Sequence, residues 1–217
     1  KKYNSYSDKW NGIGVLHTSA NRVGALEAGF VPGEGGLNTS EIIEGTKNKK
    51  IKLLWLLGYD EEIIEKDSEA FIIYQGHHGD FGAESADLIL PGSAYTEKNG
   101  TYINTEGRVQ RTYAAVPPPG NAKEDWKIIR AFSEYIDKTL PYNNISQLRS
   151  YFENINKNFV IENSLLKSET SDIGDTKVKL NNASIKPLKM NYFMTCPISR
   201  SSETMAKCSI AKRKLGM

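Results

Sequence analysis

The sequence predicts an incomplete α/β domain, part of a doubly wound (Rossmann-like) parallel sheet, followed by a C-terminal helical and irregular extension. Three observations predict it. Three short apolar runs, at 51–57, 71–74 and 87–90, each stop at a glycine, a Gln-Gly pair or a Pro-Gly pair, as buried strands do. They recur in a β-x-β-x-β order that suits a parallel sheet. The chain then changes period: Ile128, Ile129, Phe132, Tyr135 and Ile136 recur at helical spacing behind a Pro117-Pro118-Pro119-Gly120 spacer.

Taken in order, residues 1–12 are polar and peripheral. Ile13-Gly14-Val15-Leu16-His17 reads as a short strand or an ordered approach to a helix. Thr18-Ser19-Ala20-Asn21 offers N-cap side chains ahead of a short helix at 23–28, with Gly29 as its stop. Residues 30–46, rich in Gly, Pro, Asn and Thr, read as mostly loop. The run 51–57 is apolar on both faces apart from Lys52, which predicts a parallel strand covered on both sides. Asp60-Glu61-Glu62 suits a short acidic helical turn. Pro91 cannot donate to a sheet ladder, so the strand at 87–90 ends there. Asn99-Gly100 between Ala94-Tyr95-Thr96 and Thr101-Tyr102-Ile103 predicts a hairpin or tight loop. A helix beginning at Asn121-Ala122-Lys123-Glu124 is followed by a second at 145–155, with Ile145, Leu148, Phe152 and Ile155 on one side. Residues 158–189 read as a meandering connector. The end, 199–214, reads as one amphipathic helix with Met205, Cys208 and Ala211 inward and Lys212, Arg213 and Lys214 complementing its negative end. Two parts result: an α/β domain over 1–140 and a helical and extended tail over 141–217.

Composition excludes several classes. At 217 residues, with 39% hydrophobic and 25% charged side chains, the chain has the make-up of an ordinary globular protein. A net charge of +2 gives no field that would gather nucleic acid. No apolar run reaches the roughly 18–20 residues needed to cross a bilayer, so direct membrane insertion is not expected. The N-terminus has neither a secretory apolar segment nor an Arg- and Ser-rich presequence, so targeting information is absent or already removed. The two cysteines, Cys196 and Cys208, lie close together near the end and read as free thiols. Abundant Lys, Asn, Ile and Tyr fit an A/T-rich genome.

Candidate chemistry is sparse. Gly12-Ile13-Gly14 begins like a dinucleotide fingerprint, but the third glycine falls at His17 and no strand precedes it. Gly33-Glu34-Gly35-Gly36 has no Gly-Lys-Ser/Thr behind it. Both read as loop glycines. His77 and His78 are adjacent, and on an extended segment adjacent side chains point to opposite faces, which denies them a shared metal. His17 is remote, and Asp80 alone does not complete a site. A structural role at the strand's end is the favoured reading of the histidines, and a helix start that of Asp60 and Glu61. Because ligands sit at the carboxyl edge of a parallel sheet, the alternative has His77, His78, Asp60 and Glu61 lining a crevice. No Ser–His–Asp arrangement has sequence support. Asp60, Glu61 and Glu62 read as a solvated face.

The block ADLILPGSAYTEKNGTYINTEGRVQ (86–110) resembles the pattern shared by molybdopterin oxidoreductases and their relatives. Its flanks, FIIYQGHHGDFGAESADLILPG (71–92) and VPPPGNAKEDWKIIRAFSEY (116–135), together with SRSSETMAKC (199–208), resemble the C-terminal part of the largest iron–sulfur subunit of respiratory complex I. The resemblance runs from about Trp10 to Lys212 and is weakest over 158–189. It implies a molybdopterin-oxidoreductase-type domain. In molybdopterin enzymes the region corresponding to Asn104, Glu106, Gly107, Arg108 and Gln110 helps hold the pterin; in the complex I subunit the same domain works without a molybdenum site, so these residues keep backbone geometry only. No iron–sulfur ligand is carried over to any position, because two cysteines are too few and wrongly spaced for a cluster.

The resemblance therefore implies a non-catalytic structural portion of proton-pumping NADH:ubiquinone oxidoreductase, with no catalytic, cofactor-binding or metal-binding residue of its own. Iron–sulfur clusters are expected on the N-terminal half of the large polypeptide, and FMN and NADH on a neighbouring one. The implied partners are that half and other peripheral-arm subunits, and the implied location is the matrix side of the mitochondrial inner membrane. Two other readings remain: the C-terminal part of a molybdopterin enzyme such as a formate dehydrogenase, favoured by the 104–110 block, and a free-standing binding module using Lys-rich loops.

Overall fold

The computed structural model describes residues 6–7, 10–17, 19–65, 69–159, 161–163, 165, 182–184 and 191–215. Two residue pairs, β1 (Tyr6–Ser7) and β2 (Trp10–Asn11), run antiparallel near the start. Helices α1 (Arg22–Glu27) and α2 (Thr39–Lys47) precede a sheet of three parallel strands, β3 (Leu53–Leu57), β4 (Phe71–Gly76) and β5 (Leu88–Pro91), in that spatial order. The one-turn helix α3 (Phe81–Ser85) connects β4 to β5. An antiparallel hairpin of β6 (Gly100–Ile103) and β7 (Val109–Thr112) follows. Then come α4 (Asp125–Tyr135), α5 (Ile145–Ile155), α6 (Pro197–Arg200) and α7 (Glu203–Lys214).

Strand pairing fixes which side chains share a face. Leu54, Leu56, Ile72 and Tyr74 lie on one face and are buried with Ile64, under Ile42 and Ile43 of α2 and Ala83 of α3. Each such side chain contributes roughly 1.5–3 kcal/mol by leaving water. The opposite face meets α4: the ring of Trp55 stands edge-on to Phe132 at 4.8 Å, and Gln75, fully buried, donates from Nε2 to Asp125 Oδ1 at 2.9 Å. That cover is incomplete. Leu53, Leu57 and Phe71, all on this face, are 52%, 50% and 48% exposed.

A second, smaller core forms where Ile103 and Val109 of the hairpin pack against Phe159, Phe152 of α5 and Val23 and Ala28 of the α1 region. Asn21 joins these parts. Its side-chain amide donates to Thr101 O at 3.0 Å and accepts from Ile103 N at 2.8 Å, doing for β6 what a neighbouring strand would. Gly24 makes room for it, because a Cβ there would lie 2.0 Å from Asn21 Oδ1. Asn156, after α5, donates to Glu27 O and Glu27 Oε2 at 3.2 and 2.9 Å.

The α/β class, the three parallel strands, α1, α4 and α5 agree with the sequence reading. Several local expectations are corrected. β3 is not covered on both faces, since its outer residues face an open side of the sheet. Residues 30–46 are not all loop: Asn38 and Glu41 form a reciprocal capping box that starts α2, with side-chain bonds of 3.0 and 2.8 Å. Residues 13–17 do not form the strand; they are coil on the approach to α1, the other alternative. Glu61 and Glu62 occupy a bend rather than a helical turn, because Asp60 is drawn inward and does not act as a cap. The hairpin turn is not at Asn99-Gly100. Tyr95–Glu97 is a single 3₁₀ turn, and the reversal falls at 104–108, where Asn104 and Gly107 (φ 86°) supply the turn chemistry. The terminal helix is two helices, broken at Ser201-Ser202 because Ser202 caps α7. Ser209, not Ala211, is its most buried residue, since it accepts from Asn191 Nδ2 at 2.6 Å. Most of the connector 158–189 lies outside the described residues.

Candidate functional site

The carboxyl edge of the parallel strands gathers most of the ionisable side chains singled out above. Beyond β3 the chain turns through Gly58 (φ 63°) and carries Asp60 inward, where it is 4% exposed. Beyond β4, Asp80 caps α3, accepting from Phe81 N at 3.0 Å. Gly82 allows α3 to descend onto the sheet, because a Cβ there would lie 2.4 Å from Tyr59 O and 2.5 Å from the Tyr74 ring. Into the gap between Asp60 and Asp80 comes Arg200 of α6. Its Nη2 lies 3.0 Å from Asp60 Oδ1, and its Nε donates to Asp80 Oδ2.

Burial pushes the Asp60 carboxyl up, Arg200 pulls it back and the Asp80 charge adds to the rise. Asp60 Oδ2 has no hydrogen-bond partner among the described residues. Tyr74, whose hydroxyl donates to His78 O at 3.1 Å, is pushed up to about 12 by burial and then by Asp60 and Asp80. The phenol therefore stays protonated and is no nucleophile. A guanidinium clasped by two carboxylates occupies this edge, and its donors are used in holding α6 to the sheet.

His77 and His78 are brought together, contrary to the expectation from an extended segment. β4 ends at Gly76 and the two histidines sit in a bend. Their Nδ1 atoms are 2.7 Å apart with the rings edge to face. At that separation one Nδ1 donates to the other. Burial, then His78 and Lys98, depresses His77. Among the described residues no three His, Cys, Asp or Glu side chains gather where they could hold a metal ion. His17 is in the coil before α1, and Glu61 is exposed.

The 104–110 block closes its own turn. Asn104 Oδ1 accepts from Glu106 N and Arg108 N at 3.1 and 2.9 Å. Arg108 Nε donates to Glu106 Oε1 at 2.7 Å and its Nη1 to Asn163 O at 2.9 Å. That Arg108 bond, then Asn104, lowers the Glu106 carboxyl. Asn104, Glu106 and Arg108 are thus engaged within the hairpin, and Gln110 is exposed on β7. The glycine segments at 12–14 and 33–36 are coil and turn. Cys196 is exposed at the N-cap of α6, its thiol lowered chiefly by the Ser199 hydroxyl bond, and Cys208 is half-buried on α7; both are free. Two cysteines do not make an iron–sulfur donor set.

Sequence reasoning missed the Arg200 clasp, since its partners lie 120 and 140 residues away and no local pattern joins them. It also missed Arg149, whose Nε and Nη2 are buried without a partner among the described residues. A cationic residue inside the apolar stripe of α5 was the available signal.

A family model for molybdopterin oxidoreductases matches residues 1–135, and the chain belongs to that family. Within it the likeness is narrower. Residues 160–208 match a model of the C-terminal region of a NADH-ubiquinone oxidoreductase subunit. The chain is 47% identical to the NADH-ubiquinone oxidoreductase 75 kDa subunit of Reclinomonas americana over 94% of its own length and 29% of the relative's. It is 49% identical to the mitochondrial NADH-ubiquinone oxidoreductase 78 kDa subunit of Candida albicans, over 96% and 29%, and 45% identical to that of Neurospora crassa, over 97% and 28%. The chain thus spans less than a third of the length of these curated relatives. No helix among the described residues is long and apolar enough to cross a membrane.

Proposed function

We propose that this chain is a non-catalytic structural portion of the large iron–sulfur subunit of proton-pumping NADH:ubiquinone oxidoreductase. It supports the peripheral arm that carries electrons from NADH to quinone. The observation that carries this is the continuous likeness of 45–49% identity, across nearly the whole chain, to large subunits of which it covers under a third. The half-covered sheet, with Leu53, Leu57 and Phe71 facing outward, supports completion by further polypeptide. On this reading the iron–sulfur clusters reside on the rest of the large polypeptide, FMN and NADH on a neighbour, and the assembly lies at the matrix side of the mitochondrial inner membrane.

The names of these relatives favour this over a formate-dehydrogenase-like enzyme, as does the engagement of the 104–110 side chains in their own turn. Elemental and pterin analysis of the natively purified chain tests the reading. Iron and labile sulfide accompany it on a separate or continuing polypeptide, with no molybdenum or tungsten. Either metal at near one per chain would reverse the conclusion.

A further inference from the structure

The carboxyl end of β4 brings two imidazoles together in a way that an extended chain does not. Adjacent side chains on a strand point to opposite faces, but β4 ends at Gly76, and His77 and His78 occupy a bend. There the two Nδ1 atoms stand 2.7 Å apart with the ring planes at 87°. Among the described residues each ring hydrogen-bonds only to the other. The bend is anchored on both sides. The Tyr74 hydroxyl donates to His78 O at 3.1 Å, while Asp80 accepts from Phe81 N at 3.0 Å and from Arg200. The pair is also within reach of solvent: His77 is exposed, and a Cβ added at Gly79 would meet nothing within 4 Å.

Two neighbouring imidazole nitrogens are a donor set for the late first-row divalent ions. Their spacing selects among those ions. At a metal–nitrogen length of about 2.0–2.1 Å, nitrogens 2.7 Å apart subtend about 80–85° at the metal. That is a cis pair of a square-planar or tetragonal sphere, the geometry that marks Cu²⁺ and Ni²⁺. A tetrahedral ion such as Zn²⁺ needs its nitrogens about 3.3 Å apart at the same bond length. Mg²⁺ takes oxygen donors, which the rings do not offer. Loading needs one tautomer change: the ring that donates from Nδ1 moves that hydrogen to Nε2 through solvent, with no net proton lost. Lys98, a cation that acts on His77, is paired with Asp125, and Glu97 adds a negative charge nearby. No third His, Cys, Asp or Glu joins the pair among the described residues, which leaves the remaining positions to water.

We propose that His77 and His78 form a two-nitrogen site, through both Nδ1 atoms, for a divalent copper or nickel ion with water in its other positions. The site is independent of the proposed assembly, so its test neither needs that reading nor bears on it. Cu²⁺ is titrated into the full chain at neutral pH. Electron paramagnetic resonance reads the nitrogens bound, and competition with a chromophoric chelator reads the affinity. The first equivalent shows coupling to two imidazole nitrogens. H77Q and H78Q each keep the wild-type far-ultraviolet dichroism, weaken that first binding event by at least about tenfold and leave one imidazole nitrogen. H17Q, at the remote histidine, changes neither reading. Ni²⁺ competes for the site better than Zn²⁺ does, and Mg²⁺ does not compete. The acetylated and amidated peptide of residues 75–80, in which nothing holds the bend, binds about tenfold more weakly than the chain, because the fold supplies preorganisation. A single imidazole nitrogen in the wild-type spectrum overturns the proposal, even if the variants fail to fold. So does Cu²⁺ affinity that both H77Q and H78Q retain, Zn²⁺ bound more tightly than Ni²⁺, or a peptide that binds as well as the chain.

Discussion

Two arginines of this chain present the same guanidinium edge in opposite circumstances. At the carboxyl end of the sheet, Arg200 is held between Asp60 and Asp80 and ties α6 to the α/β core. Across the molecule, Arg149 borders an apolar cavity, and the same two nitrogens are buried with no partner among the described residues. The first guanidinium is paired within the chain; the second has two donors that no described residue accepts. The same contrast holds for the sheet, whose inner face is sealed by α2 and α3 while its outer face is only partly covered by α4. One face of the sheet is sealed by the chain's own helices, and the other leaves Leu53, Leu57 and Phe71 half-exposed.

The largest expected effect breaks the complete side. R200L leaves two nearly buried carboxylates facing each other, and its unfolding free energy should fall by about 3 kcal/mol, the low end expected for removing one partner of a buried ion pair. Burial already raises Asp60 above its ordinary value, and an acid whose folded pKa is raised favours folding only while protonated. The R200L deficit is therefore greatest at neutral pH and shrinks as pH falls through the carboxylate range, which urea melts at several pH values will read.

The opposite sign is expected at the incomplete side. R149L removes a desolvated donor pair with no partner among the described residues, so the isolated chain should gain about 1–2 kcal/mol. Loss of stability in R149L would mean that the guanidinium is satisfied within the chain. D60N sharpens the comparison further. It lifts one negative charge from a cluster of two carboxylates and one guanidinium, and stability at neutral pH should stay level or rise by at most about 1 kcal/mol, the difference disappearing in acid.

The smallest effect is at the surface. Glu69 is held at about 2 by its bonds to Lys52 and then Lys49, so what these pairs contribute is present above the ordinary Glu value and lost as pH falls towards about 2. All three side chains are exposed, and salt screens them. E69Q should not measurably change the melting temperature at physiological ionic strength.

Much of the fold was legible because its signals are local. The apolar runs that became β3, β4 and β5 end at glycine or proline, and α5 spans the residues its period marks out. α2 was hidden because its composition resembles loop, although Asn38 and Glu41 carried its start signal three residues apart. The misplaced hairpin shows a turn signal overridden: Asn99 instead donates its backbone N–H to Glu124, and the reversal moved to Asn104 and Gly107. The edge residues Asp60 and Asp80 were named from sequence, but the cation that organises them comes from the far end of the chain. His77 and His78 were named with the wrong geometry, because a bend rather than a strand sets their side chains.

Native mass spectrometry of the full chain purified from its own membranes tests the central claim most directly. The account predicts a particle in which this sequence, on a separate or a continuing polypeptide, travels with iron–sulfur clusters and without molybdenum, tungsten or pterin. A particle that carries no iron–sulfur cluster, or that holds a pterin or molybdenum, would contradict it.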